Sequence, residues 1–412
     1  MRKDRNCAIS RRLAGFFLCA ALILSGGLSI ARAEQPAAED ITAFAEISPR
    51  SPKYGLKSLT DRKYTTPWET ATRKDPYVQA LLPEDMPCAS LYICFGNIPS
   101  SWEVQTLEEG AWVTLAAGAT DYLHTFLALP KAVTSLRIQA TGGKKTSLLI
   151  NELFLFGPGE APDWVQRWEP APEKPDLMIL AAHPDDELIF MGGTIAYYAV
   201  VKQKRVAVVY MTRSNTTRSS ELLNGLWSMG VKTYPIIGPF GDGYSSTLTD
   251  GYRKWGGMGR VRTYLMETIR RLKPEVIVTH DVNGEYGHGA HRVCADAAVW
   301  CVNNAADAAV MPESAQAYGV WDVPKLYLHL YQENPVVMDW RTPEALLDGR
   351  TPLEAAQEAY AFHVTQQNAG SAVMGTDFAV TDEGEYACNR FGLYRSLVGQ
   401  DAARNDFFEN IP

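Results

Sequence analysis

The chain has 412 residues, 46% hydrophobic and 21% charged, which provides apolar side chains for sizeable cores and excludes wholesale disorder. Its 47 acidic and 39 basic residues give a formal net charge of -8, and no long Lys/Arg run supplies the basic footprint that a nucleic-acid partner requires. The length suits two domains better than one.

The first residues read as an address. Arg2, Lys3, Arg5, Arg11 and Arg12 precede an apolar run from Leu13 to Ile30, which exits through Ala31-Arg32-Ala33. This is the pattern of a secretory signal peptide over 1–33, cleaved after Ala33, and it predicts a secreted or extracytoplasmic protein, at the cell surface or in the periplasm, with no stable membrane span. A retained anchor is the alternative, because the run nearly spans a bilayer. Ser25-Gly26-Gly27 and the small-residue exit favour cleavage. Ser10-Arg11-Arg12 has part of a twin-arginine signal but lacks its Phe. Cys7 and Cys19 leave with this segment, and export suggests a disulfide between Cys88 and Cys94. Cys294 and Cys301, seven apart in a helical pattern, stack about 10 Å apart on one face and read as buried small hydrophobes.

Residues 34–160 alternate like strands, in short runs such as Ser90 to Cys94, Trp102 to Gln105, Trp112 to Ala116, Ser135 to Ala140 and Ser147 to Phe156, punctuated by Gly, Pro, Asn and Asp. Such runs without intervening helices predict an antiparallel β-sandwich. Leu59-Thr60-Asp61 with Pro67-Trp68, then Trp112-Val113-Thr114-Leu115, then Leu149 to Gly157 resemble discoidin-like, galactose-binding-like modules. The resemblance implies a carbohydrate-binding module, for which Asp61, Arg62, Tyr64 and Trp68 are the nearest candidates: an aromatic face stacks on a sugar ring while charged groups hold its hydroxyls. Equally open is a spacer domain with Trp68 in its core. Residues 161–175, rich in Pro, read as a linker.

From 176 onward strands and helices alternate. Strands are expected at Asp176 to Ala182, Arg205 to Met211, Lys232 to Ile237 and Glu275 to Thr279, with helices at Thr194 to Lys202, Ser219 to Met229 and Met258 to Leu272. This series predicts an α/β fold, a Rossmann-like, mostly parallel sheet covered on both faces. No Gly-x-Gly-x-x-Gly follows a strand, so a dinucleotide site is not indicated.

Ligands of open parallel sheets bind beyond the carboxyl ends of the strands. After the first expected strand stand His183, Asp185, Asp186 and Glu187; after the fourth runs Thr279 to His291, whose His288 and His291 share a helix face. Imidazole and carboxylate are what zinc takes where thiolates are absent. The run His183 to Glu187 and the segment Gly284-Glu285-Tyr286-Gly287-His288-Gly289-x-His291 are similar to the LmbE-like / PIG-L family of zinc-dependent N-acetylglucosaminyl deacetylases. Pro324 to Tyr327 and Phe391 to Tyr394 resemble tails of bacterial members, so the resemblance extends over 176–412.

The resemblance implies Zn²⁺ held by His183, Asp186 and His291, with Asp185 as the general base that takes a proton from the attacking water. His288 then stabilises the oxyanion or protonates the leaving amine, and Tyr286 polarises the amide carbonyl. Glu187 reads as a supporting group that orients a ligand or caps the helix. Many members carry Asp before the second histidine, where this chain has Ala290; Asp281 or Glu285 is the expected replacement. Arg213 and Arg218 follow the second strand and Asp242 the third, as holders of sugar hydroxyls or as ion pairs and loop caps. His280 reads as an orienter of its loop, His124 as part of the sandwich, and His329 and His363 as satisfied, partly buried histidines. The expected activity is removal of N-acetyl groups from GlcNAc-containing sugars or glycans outside the cytoplasm. The alternatives are a glycan-binding protein with an inactive catalytic domain and a zinc hydrolase of another amide or an ester.

Overall fold

The computed structural model describes residues 36–50, 53, 55–143, 145–367 and 378–412; the expected signal peptide at 1–33 lies outside them. Among the described residues no helix is long and apolar enough to cross a membrane.

Alternation makes the sandwich. Ser135–Ala140 turns Leu136, Ile138 and Ala140 inward and Ser135, Arg137 and Gln139 outward. It sits in a five-stranded antiparallel sheet ordered Glu46–Pro49, Tyr77–Leu81, Ser135–Ala140, Trp102–Glu108, Ala111–Ala117. A four-stranded antiparallel sheet, ordered Trp68–Glu69, Leu149–Phe156, Cys88–Asn97, His124–Val133, faces it. Trp68, Phe95, Trp102, Val104 and Ile138 fill the core between them.

The strand Cys88–Asn97 does not alternate: it is buried from Ser90 through Gly96. Its other face, with Tyr92 and Cys94 beside Phe154 and Phe156, is covered by Ala161 and Val165. Cys88 and Cys94 therefore lie on one extended strand, six residues or roughly 20 Å apart, and both are free thiols. The expected disulfide is corrected on that ground, since a bridge needs Cα atoms within about 7 Å. Cys294 and Cys301 are buried, as expected.

Residues 161–175 are tied down along much of their length. Trp164 packs on Phe154 at 4.8 Å between ring centres, and Trp168 packs on Trp227 at 5.3 Å. Gln166 joins three elements: its Oε1 lies 2.8 Å from His124 Nδ1 and accepts from Trp168 Nε1, while its Nε2 donates to Asn224. His124, on a sandwich strand, reaches Ser220 of the α/β region through Nε2 at 3.2 Å. Ala37–Pro412 forms one compact unit.

The α/β region has a seven-stranded sheet. Its strands, numbered here within this sheet, are β1 (Leu177–Ala181), β2 (Val206–Arg213), β3 (Ile236–Gly241), β4 (Val276–Thr279), β5 (Lys325–His329), β6 (Pro335–Val337) and β7 (Arg390–Ser396), in the order β3-β2-β1-β4-β5-β7-β6. The first five run parallel, and β7 is antiparallel to β5 and β6. Successive residues of β1 feed opposite cores: Leu177, Ile179 and Ala181 pack on one side, Met178 and Leu180 on the other. Among the helices are α1 (Asp186–Ile189), α2 (Thr216–Ser228), α3 (Leu248–Lys254), α4 (Met258–Leu272) and α5 (Gly289–Asn304). The chain leaves β1 toward β2 on one side and returns through β4 on the other, so a crevice opens at their carboxyl ends.

Three expected elements shift. The third strand begins at Ile236 rather than Lys232, because Pro235 has no N–H to give and Glu169 claims the backbone of Lys232 and Tyr234. The helix after α1 winds as a π-helix over Ala196–Val201. Helix α2 starts three residues early, where Asn215 caps it by accepting from the Arg218 N–H.

Candidate active site

Backbone bonding holds the strand ends together before any chemistry begins. Ala182, just past β1, donates its N–H to His280 Nε2 at 3.0 Å and accepts from the Thr212 hydroxyl of β2 at 2.8 Å. The chain then turns sharply. Asp185 adopts φ 117°, which is strained for any residue with a Cβ. Glu187 stabilises that turn by accepting the Asp185 N–H at 2.9 Å, which accords with a supporting group. Burial pushes the Glu187 carboxyl up to about 7.

Asp186 sits between two imidazoles. Its Oδ2 accepts from the His183 N–H at 2.7 Å and lies 3.0 Å from His183 Nδ1, and its Oδ1 lies 3.3 Å from His291 Nε2. Donor atoms of His183, Asp186 and His291 all fall within 4.8 Å of one another, and all three residues are buried. Burial alone would raise Asp186, but His291 and His183 hold it well below the carboxylate range. Burial pushes Asp185 the other way, well above that range, with Arg218 opposing and Asp186 adding to the rise. Adjacent carboxyls driven apart in this way can divide a ligand's task from a base's.

Glu285 organises the other half of the site. Fully buried, it receives three imidazoles: His280 Nδ1 at 2.9 Å and His291 Nδ1 at 2.8 Å on Oε2, and His329 Nδ1 at 2.6 Å on Oε1. Burial would raise it, yet these contacts hold it well below the ordinary range. With its Nδ1 on Glu285, His291 turns Nε2 toward Asp186. Of the two expected replacements for the residue at Ala290, Glu285 is the one that bonds His291, while Asp281 instead holds Asn283. His280 orients its loop as expected, and His329 is fully buried rather than partly.

His288 caps α5 by accepting the Ala290 N–H on Nδ1 at 3.1 Å, so its Nε2 carries the proton and is a donor. Burial, with His291 and His183 nearby, pushes this imidazole down to about 2. Tyr286, at φ 41°, places its ring 5.6 Å from His288 and 5.4 Å from His291. A cavity of about 170 Å³ is bordered by His183, Asp185, Asp186, Tyr286 and His288 with Arg218, Asp242 and Phe190. Arg218 Nη2 donates to the Pro184 carbonyl at 2.6 Å and lies 3.2 Å from Asp185; Nη1 bonds Asp242 at 2.5 Å.

Ile189 and Phe190 of this wall had no sequence signal, and nor did three further residues. Tyr244 lies edge-on to His288 at 4.9 Å, and Gln366 and Phe378 come from far down the chain. Arg213 is absent from the wall: the last residue of β2, it is exposed and makes no side-chain hydrogen bond among the described residues. His363 departs from expectation as well. It is fully buried with neither ring nitrogen hydrogen-bonded among the described residues, and burial pushes it down to about 3.

Three of the four sandwich candidates, Asp61, Arg62 and Trp68, are engaged within the fold, while Tyr64 borders a larger cavity. Trp68 is fully buried in the core, so its ring offers nothing to a ligand. Asp61 accepts from the Thr66 hydroxyl and the Lys63 N–H. Arg62 donates to Asp40 and to the Leu153 carbonyl, with its guanidinium 3.9 Å above the Phe154 ring. Tyr64 stacks on His124.

The family model described as PIG-L, GlcNAc-PI de-N-acetylase, matches residues 178–302. This segment is a PIG-L family domain. It contains both halves of the site, whereas Gln366 and Phe378 lie outside it. A relative from Catenulispora acidiphila, named 1D-myo-inositol 2-acetamido-2-deoxy-alpha-D-glucopyranoside deacetylase 1, is 30% identical over 178 residues, 37% of this chain and 54% of the relative. The chain thus spans about half the length of that curated relative. A deacetylase of the same name, without the number, from Rhodococcus jostii is 25% identical over 295 residues, 57% of this chain and 98% of the relative. Among solved structures, a family 32 CBM from C. perfringens NanJ in complex with galactose is 17% identical, with a TM-score of 0.25, covering 29% of this chain and 97% of that one.

Proposed function

We propose that the protein is an exported, zinc-dependent hydrolase that removes N-acetyl groups from GlcNAc-containing sugars or glycans. The observation that carries this reading is the convergence of His183, Asp186 and His291 beside Asp185 in a PIG-L domain. The donor set fits the metal: two imidazoles and a carboxylate are a catalytic zinc triad with one position open. His291 Nε2 is buried without a hydrogen-bond partner, despite the nearby Asp186, which is the condition of a ligand atom turned toward a cation. The named activity of the relatives supports a GlcNAc-type substrate, and the basic-then-apolar pattern of residues 1–33 supports export.

When bound, zinc supplies Lewis acidity, which lowers the pKa of water and polarises a carbonyl oxygen. The chain's own groups do the rest. Asp185, held by Arg218 and raised by burial, takes the proton of the attacking water. His288 Nε2–H donates to the oxyanion, Tyr286 adds a donor beside the carbonyl, and the departing amine takes the proton that Asp185 accepted. Asp242 and Arg218 meet the sugar's hydroxyls at the rim. Ile189, Phe190 and Phe378 exclude bulk water from the pocket.

The test combines metal analysis of the purified protein with free-amine detection on GlcNAc, chitooligosaccharides and peptidoglycan fragments. Bound zinc and amine release that stops on chelation are expected. Protein that binds no metal, or binds it and releases no amine from any of the panel, overturns the reading in favour of a non-catalytic glycan binder or a hydrolase of another bond.

A further inference from the structure

A cavity of about 800 Å³, several times the volume of the catalytic pocket, opens where residues 163–169, the C-terminal half of α2 and the 346–362 stretch meet the sandwich at Tyr64. Its size lies within the range of small-molecule sites.

Its walls are unusual for a crevice between packed elements. Five aromatic side chains are left most exposed among the described residues: Phe44, Trp164, Tyr244, Tyr318 and Phe362. Trp164, 45% exposed, and Phe362, 43% exposed, border this cavity, and Tyr244 borders the catalytic pocket. Exposed rings are costly to leave in water and offer flat faces to the C–H groups of a sugar ring. Between them the side chains of Asp163, Arg167, Glu169 and Asp348 make no hydrogen bond or ion pair among the described residues, and so are free to hold hydroxyls. Arg167, Lys232 and Arg350 balance Asp163, Glu169 and Asp348, three charges against three. A wall with no net charge does not select an anionic ligand, and suits a neutral one rich in hydroxyl and amide groups.

Two elements lead from this cavity to the catalytic pocket. Helix α2 carries Arg218 at the pocket and Trp227 at the cavity, nine residues or about 14 Å along its axis. The segment from Phe362 to Gln366 likewise borders the cavity at one end and the pocket at the other. We propose that the cavity is a second saccharide site, holding neutral units of a glycan chain whose N-acetylated unit lies in the catalytic pocket. The choice of sugar rests on the deacetylase reading above.

The experiment uses the full chain and a six-unit β-1,4-linked N-acetylglucosamine oligomer. In the catalytically blocked Asp185→Asn protein, binding is followed by tryptophan fluorescence, and Arg167→Ala or Trp164→Ala raises Kd about tenfold, the effect of losing one main contact. In the active protein the same substitutions lower the preference for oligomer over monosaccharide, read as the ratio of kcat/KM values, by about tenfold. Arg167 is exposed and without hydrogen-bond or ion-pair partners among the described residues, so its variant folds even if removing Trp164 loosens the packing. An oligomer that does not bind, or binds all variants with one Kd, overturns the site; an unchanged preference overturns its link to the catalytic pocket. A chain that releases no amine defeats the deacetylase reading while the binding measurement still decides the cavity.

Discussion

The strand ends of the α/β sheet and the Asp61 to Tyr64 loop of the sandwich carry similar side chains in opposite conditions. In the loop, Asp61 and Arg62 are engaged by Thr66, Lys63, Asp40 and the Leu153 carbonyl, and Arg62 covers an aromatic ring. At the strand ends, a framework of Glu285, Glu187 and Arg218 holds its neighbours while Asp185 stays strained and His291 Nε2 stays unpartnered. Polar groups consumed by one another stabilise a fold. Polar groups fixed in place with an atom still free can do chemistry.

Substitutions can break that contrast, beginning with the largest effect. Asp185→Asn removes the proton acceptor but keeps the shape, and should lower kcat by about 10² to 10⁴-fold with zinc content unchanged. Loss of zinc in that variant, measured by metal analysis, would reassign Asp185 as a ligand. Glu285→Gln should weaken metal affinity by about 10 to 100-fold, because Glu285 acts on the metal through the imidazoles it aims, His291 among them. Competition against a chelator measures it, and unchanged affinity would show that the three imidazoles hold their positions without the charge.

The joint between the two regions should respond to pH. Buried His124 is pushed down to about 4 by desolvation, below its unfolded value of about 6.5. The unfolded chain therefore takes the proton first as pH falls. Stability is fully present above about 6.5 and declines toward about 4, by on the order of 3 kcal/mol, then levels. His124→Gln should flatten the melting temperature between those limits relative to the parent, and parallel curves would assign the decline to other groups. Smallest of all, Arg62→Ala should cost about 1 kcal/mol of stability in denaturant unfolding and change kcat/KM on a monosaccharide by less than about twofold. A larger kinetic effect would restore that loop as a substrate contact.

Motif and periodicity located much of this architecture. Helix α4 falls on Met258–Leu272, as its spacing predicts, and the apolar runs at 176–182 and 275–279 become the central strands β1 and β4. The His183 to Glu187 and Glu285 to His291 segments meet because both leave neighbouring parallel strands at the same end. That much was legible because local pattern sets strands and their ends, and topology then fixes which ends adjoin.

Other features depended on contacts that no local pattern encodes. Pairing along the chain suggested a Cys88–Cys94 bridge, but one continuous strand separates the two thiols. Trp68 could be a sugar platform or a core residue until a second sheet covered it. Gln366 and Phe378 border the pocket although both lie far along the chain from the PIG-L segment. The sequence alone determined the chemical types and the two strand ends that carry them, through spacing and periodicity. Only tertiary structure decided which polar atoms were consumed and which were left facing a cavity, since burial and partner choice are set by packing between residues far apart in the chain.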